Sequence, residues 1–223
     1  MLIHLFSPFL YILFVKCILH IKPCPGSELM RVFRKYHNIS LSFLSLIMLV
    51  GIIIANFQTG KFTSVNNLLC KSYQNNWYAV TSTNLFLYSK YLEWPDTLYL
   101  HLSGKKISML QYTHHMTTAI LAYLNIFEYI SPFIFIFMSM NCLVHVFMYW
   151  YFAFPKGILN PFRKQITQLQ IIQHILCIIT LVYTHTLENC QQNRYGLHAG
   201  LLLYSMYLFY FMVFYLKSYT KIN

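Results

Sequence analysis

The residues in this chain that could do chemistry fall on helical stripes. Lys90, Glu93, Asp96 and Thr97 are spaced i, i+3, i+6, i+7, and Gln111, His114, His115 and Thr118 are spaced i, i+3, i+4, i+7. Residues three or four apart share a helix face. Asn141 and His145 lie four apart, so an amide can orient an imidazole, and Met148 and Tyr149 continue that face. Thr167, Gln170, Gln173 and His174 make a fourth stripe, and Tyr204, Tyr207, Phe211 and Tyr215 an aromatic fifth. Imidazoles serve as nucleophiles, acids or bases. Each stripe also has a plainer reading. Lys90 and Glu93 can form an ion pair that fastens helices, the glutamines can hydrogen-bond across helices, and Tyr215 can pack at an interface. Adjacent histidines beside Gln and Thr favour function.

The elements that carry these stripes are set by composition. Of 223 residues, 57% are hydrophobic, 18% aromatic and 9% charged, against about 25% charged in soluble domains. A water-soluble core cannot use this much apolar surface, and a transmembrane barrel would alternate rather than run apolar. The chain reads as one all-α polytopic domain, residues 1–223, with seven transmembrane helices near 2–20, 38–57, 78–101, 107–126, 129–152, 166–186 and 197–217. The first span lacks a basic leading region and ends near Pro23-Cys24-Pro25, a poor cleavage context, so it reads as a retained helix. An ionisable group in the hydrocarbon costs about 2.5–3.5 kcal/mol on insertion scales, so the stripes are expected to face a shared polar tunnel.

The net charge of +11 lies in short loops between apolar runs, which argues for membrane orientation and against a nucleic-acid partner. Alternate inter-span segments carry 11 Lys and Arg against 3. That asymmetry places the C-terminus in the cytosol, the N-terminus on the opposite side and the tunnel mouth among cytosolic basic residues. Lys105, Lys106, Arg163 and Lys164 belong to that basic side.

The six cysteines contain no C-x-x-C, and no metal site is expected. Cys17, Cys142 and Cys177 fall in spans and read as packing residues. Cys70 and Cys190 both fall in non-cytosolic loops, where a disulfide can persist, and either a bridge or two free thiols fits. Asn38-Ile39-Ser40 matches a glycosylation sequon at a cytosolic edge and reads as chance.

Together these motifs resemble the ELO family of very-long-chain fatty acid elongases, the membrane 3-ketoacyl-CoA synthases. The family pattern K-x-x-E-x-x-D-T is matched by Lys90, Glu93, Asp96 and Thr97, and the histidine box H-x-x-H-H by Gln111 through His115. Asn141, His145 and Met148-Tyr149-Trp150-Tyr151 are similar to N-x-x-x-H-x-x-M-Y-x-Y, and residues 166–173 to I-T-x-x-Q-x-x-Q. The likeness runs from about residue 25 to 216 in the right order. Gln111 replaces the first box histidine, a change that in this family occurs in members acting on polyunsaturated chains. Lys221-Ile222-Asn223 lacks a full dilysine retrieval signal, so residence in the endoplasmic reticulum follows from the family alone.

The resemblance implies condensation of a long-chain acyl-CoA with malonyl-CoA, without a cofactor, to a 3-ketoacyl-CoA two carbons longer. About six helices would enclose the acyl chain in a tunnel open to the cytosol. His114 would be acylated. His115 and His145, oriented by Asn141, would stabilise the enolate and oxyanion or move protons. Lys90, Glu93, Asp96, Gln111, Thr118, Tyr149, Gln170, Gln173, Tyr204 and Tyr207 would shape the substrate site, and Lys105, Lys106, Arg163 and Lys164 would attract CoA phosphates. The bilayer and other enzymes of the elongation cycle are the expected partners, with homodimerisation left open. Three rival readings differ in what they need: a histidine-box desaturase or hydroxylase requires about eight metal ligands, a seven-helix receptor requires no inward histidine pair, and a lipid-binding protein requires no turnover.

Overall fold

The computed structural model describes residues 2–73, 75–127, 129–187, 190 and 193–220. Lys221, which the charge count assigns to the basic tail, lies outside them, as do Glu128, Glu188 and the chain end. The described chain is helical, with no strand among the described residues. A 3-10 turn at Leu2–Phe6 leads into α1 (Ser7–Leu19), followed by α2 (Glu28–Gln58), the short α3 (Val65–Cys70), α4 (Trp77–Leu92), α5 (Pro95–Leu102), α6 (Met109–Leu124), α7 (Ile134–Ala153), α8 (Arg163–His185) and α9 (Arg194–Tyr219). Local chemistry fixes several helix starts. Ser27, Asn76, Ser108 and Asn193 each cap a helix by accepting a backbone N–H three residues on.

Among the described residues four helices are long and apolar enough to cross a membrane: Glu28–Gln58, Ile134–Ala153, Asn160–His185 and Arg194–Tyr219. Ile3–Leu19 is a shorter apolar helix. The expected span 78–101 is not one helix but two, α4 and α5. Pro95 has no N–H to give and its ring crowds the preceding turn. The chain tightens there through Trp94 N–H to Tyr91 O and Asp96 N–H to Glu93 O. The expected span 129–152 begins as a helix only at Ile134, after a turn.

Six helices follow one another in a closed ring, α2–α7–α8–α9–α6–α4 and back to α2, while α1 packs outside it against α6 and α5. The α2–α4 contact is close because Gly51 has no side chain; a Cβ there would lie 2.2 Å from Ser82 Oγ. The outer surface is apolar, with Phe43, Ile47, Leu202 and Phe209 exposed, as suits helices facing lipid.

At one end of the ring Cys70 and Cys190 are joined by a disulfide, their Cα atoms 4.8 Å apart, tying the loop after α2 to the segment before α9. Cys142 and Cys177 pack in apolar clusters, whereas Cys17 lies on the exposed face of α1 rather than in the core. Beside the disulfide, Lys61 is fully buried. Its ammonium donates to the Lys71 carbonyl and stands 4.5 Å over the Tyr73 ring. Burial, and then the charge of Lys71, pull this lysine down to about 7.

Candidate active site

The opposite end of the ring opens into a cavity of about 690 Å³. Five helices of the ring and the α4–α5 junction contribute to the cavity walls, including Asn38 from α2, Glu93 from the junction, Gln111, His114 and His115 from α6, Asn141, His145 and Tyr149 from α7, Gln170, Gln173 and His174 from α8, and Phe211 from α9. Deeper, a narrow space of about 40 Å³ is lined by Phe86, Thr118, Leu121, Asn125, Phe137, Tyr204 and Tyr207. Lys90, the first member of the Lys-Glu-Asp stripe, borders this inner space. His114, Asn141, Gln173 and His174 border both spaces.

Lys90, Glu93, Asn141 and His145 form a closed loop of contacts. Lys90 Nζ donates to Glu93 Oε1 at 2.7 Å and to Asn141 Oδ1 at 2.9 Å, and it lies 4.2 Å over the Phe86 ring. An ammonium has no acceptor, so Asn141 must turn its oxygen to Lys90 and its NH₂ to His145. That NH₂ meets His145 Nε2 at 3.2 Å. Nε2 is therefore an acceptor, and the ring carries its proton on Nδ1, 3.5 Å from Glu93 Oε1. This chain of contacts holds His145 in one tautomer. Lys90 and Glu93 are 2% and 1% exposed, so each needs the other to remain charged there.

The kink at Pro95 divides the first stripe. Glu93 turns to Lys90 and His145, while Asp96 accepts from Tyr149 Oη at 2.9 Å and pairs with His37 at 3.3 Å. Thr97 faces a third direction, taking the Gln111 Nε2 donor on its Oγ1 at 3.3 Å. The four residues thus support three different walls.

Among the described residues no ring hydrogen bond from the protein reaches His114 or His115. The His114 ring packs 5.5 Å from that of His115 and 5.0 Å from that of Tyr207. His115 Nδ1 and Glu93 Oε2 are buried with no partner, which leaves each able to serve a bound molecule. Tyr207 Oη is 2.6 Å from Thr117 Oγ1, so it is tied to α6. Among the described residues no three His, Cys, Asp or Glu side chains converge as around a metal ion.

Lys105, Lys106 and Arg163 border the wide cavity, and Lys164 does not; its ammonium lies 5.8 Å over the Tyr215 ring. Thr118 and Tyr204 border the inner space alone. Sequence spacing assigns no site role to Arg34, Asn38 or Tyr99, which also line the cavity. Arg34 and Asn38 are legible as an i, i+4 pair. His174 belongs to the fourth stripe, and its Nδ1 meets the Gln170 carbonyl, leaving Nε2 to the cavity side. Asn38, the sequon asparagine, is buried.

Comparison with known proteins gives one consistent result. The profile described as ELO, GNS1/SUR4 family, matches residues 2–223. A Schizosaccharomyces pombe protein that carries a fatty acid elongase name is 31% identical over 216 residues, covering 87% of this chain and 56% of that protein. Fatty acid elongase A of Dictyostelium discoideum is 29% identical over 198 residues, covering 85% and 72%. Fatty acid elongase 3 of Trypanosoma brucei brucei is 33% identical over 146 residues, covering 61% and 48%. The chain thus spans about half the length of the first and third of these relatives.

Proposed function

Since the chain belongs to the ELO (GNS1/SUR4) family, we propose that it is a fatty acid elongase, a 3-ketoacyl-CoA synthase joining a long-chain acyl-CoA to malonyl-CoA. It lies in the endoplasmic reticulum membrane with seven spans, α1, α2, the α4–α5 pair, α6, α7, α8 and α9. The basic end faces the cytosol, as the charge asymmetry requires, and the disulfide end faces the oxidising lumen.

The observation that carries this reading is the place of His114, at the junction of the wide cavity with the narrow inner one. A thioester whose acyl chain runs inward among Phe86, Leu121 and Phe137, and whose CoA runs outward past Lys105, Lys106 and Arg163, brings its carbonyl carbon to this histidine. The basic rim attracts the CoA phosphates, and Arg34 belongs with it.

The reaction runs in two halves. A nitrogen lone pair of neutral His114 attacks the thioester carbon, the C–S bond breaks, and the departing thiolate takes the proton of the other ring nitrogen, so that CoA leaves as the thiol and an acyl-imidazole remains. Malonyl-CoA then enters by the same mouth and loses carbon dioxide. The electron pair of the broken C–C bond passes to the α-carbon as an enolate, which attacks the acyl carbon. The C–N bond to His114 breaks, the released nitrogen takes a proton from water at the cavity mouth to regenerate the imidazole, and the 3-ketoacyl-CoA departs. His115, with its free Nδ1, stabilises the enolate in this second half. His145 supplies a fixed Nδ1–H pointing at Glu93, and the Lys90–Glu93 pair sets the local field. The product enters the next step, reduction of its ketone, through other enzymes of the cycle.

Purified protein given acyl-CoA alone should release CoA and carry an acyl adduct by mass spectrometry, both lost in His114→Ala. If CoA appears only after malonyl-CoA is added, the covalent step is wrong. If no acyl-CoA in a broad panel takes up label from malonyl-CoA, the elongase reading is wrong.

A further inference from the structure

Tyr11 belongs to α1, the helix outside the ring, yet it is fully buried. Its ring lies within 24° of parallel to that of His115, with centroids 6.2 Å apart. The same ring packs 5.4 Å from Trp94 and 5.7 Å from Tyr112. Trp94 in turn donates Nε1–H to the His115 carbonyl at 3.2 Å. Tyr11 does not border the cavity; it meets His115 from behind.

The hydroxyl has its own task. A buried tyrosine needs a hydrogen-bond partner, and Tyr11 Oη finds Thr97 Oγ1 at 2.8 Å. The same threonine oxygen accepts the Gln111 amide at 3.3 Å. Gln111 is the position at which this chain departs from the histidine box. One tyrosine therefore supports the imidazole through its ring and anchors the substituted box position through its hydroxyl. His115 depends on this support because its Nδ1 has no protein partner to orient it.

We propose that Tyr11 is a positioning residue for His115, holding the plane of the imidazole that serves the second half-reaction. The proposal rests on the reading of His114 as the acylated residue and His115 as the group acting on the enolate. Tyr11 lies behind His115 and outside the cavity, so its loss should spare acylation and slow condensation. A packing residue that only held α1 in place would affect both halves alike.

The test uses the full chain in detergent or vesicles, as wild type, Tyr11→Leu and Tyr11→Phe. Acyl-CoA alone reports the first half as a burst of CoA. Adding malonyl-CoA to the acylated enzyme reports the second as 3-ketoacyl-CoA. Tyr11→Leu should keep the burst rate within about twofold while condensation slows about ten- to hundredfold, the size of effect that follows an ångström of misplacement. Tyr11→Phe keeps the ring and loses the Thr97 bond, so it should retain the burst and lose less of the condensation rate. Equal slowing of both halves, or no slowing of either, overturns the proposal. If Tyr11→Leu does not fold, Tyr11→Met, which also removes the ring but fills more of its length, decides by the same comparison. Absence of a burst in the wild type instead strikes the covalent reading itself, and this proposal falls with it.

Discussion

Asn141 donates its amide N–H to His145 Nε2 across 3.2 Å, and it does so because Lys90 occupies its oxygen. The relationship makes a histidine tautomer depend on a lysine of another helix. Asn141→Asp keeps an acceptor for Lys90 and removes the donor to His145. It should lower kcat about ten- to hundredfold, the range of a misplaced acid–base group, with KM changed much less. Steady-state condensation assays on protein shown to be monodisperse would check this, and unchanged kcat would remove Asn141 from the site.

Lys90 and Glu93 form the most buried ion pair described. Lys90→Met strands the Glu93 carboxylate and should destabilise the protein by about 3–5 kcal/mol. Adding Glu93→Gln should recover much of that stability, because no buried charge is then left alone. Activity should not return, since the lysine that orients Asn141 and the carboxylate facing His145 Nδ1 are both gone. Thermal unfolding and turnover of the two variants, measured side by side, separate these effects.

The disulfide closes a sequence separation of 120 residues. In the chain-entropy account a closure this long stabilises by about 4–5 kcal/mol at most. Cys70→Ser should therefore lower the temperature of inactivation without changing the product. Non-reducing peptide mapping should find the Cys70–Cys190 pair, and alkylation of both thiols without reductant would contradict it.

Lys61 gives stability a pH dependence of definite sign. Its folded-state value of about 7 lies below the ordinary lysine value of 10.5. Between these two values the unfolded chain holds a proton that the folded chain does not, so stability rises with pH. Its contribution is greatest above the ordinary value and is lost as pH falls to about 7. Lys61→Met should flatten the difference in thermal stability between mildly acidic and alkaline buffer. An unchanged slope would show that Lys61 is charged in the folded loop.

Phe137 borders the inner space and packs on Phe133 and Tyr204. With about 40 Å³ free, that space would, on the proposed elongase reading, limit how much acyl chain lies beyond His114. Phe137→Ala should shift the product profile longer by at least one two-carbon step, at a cost of about 3–5 kcal/mol in stability. Chromatography of products from labelled malonyl-CoA would read the shift; an unchanged length distribution would place the limit elsewhere.

Much of the site is legible in the amino-acid sequence. Lys90 with Glu93, and Asn141 with His145, can be paired there because helical spacing is a local rule. The apolar composition requires membrane helices, and the unequal loops give them an expected direction. A kink at Pro95 is foreseeable, but its consequence is not: Glu93 and Asp96 meet different residues of α7, Asp96 also reaches His37 of α2, and Thr97 turns to Gln111 of α6. Lys164 looks equivalent to Arg163 by charge and sequence position, yet only Arg163 borders the cavity.

Residue order alone dictates which side chains share a helix face, which segments are apolar, and that adjacent histidines sit among them. Packing in three dimensions is what makes Asn141 join Lys90 to His145, closes six helices into a ring around them, and carries Tyr11 from outside the ring to Thr97, 86 residues away. Periodicity reports the neighbours of a residue along its own helix. Contacts between helices depend on packing angles and side-chain volumes summed over the whole ring, which no short stretch of sequence contains.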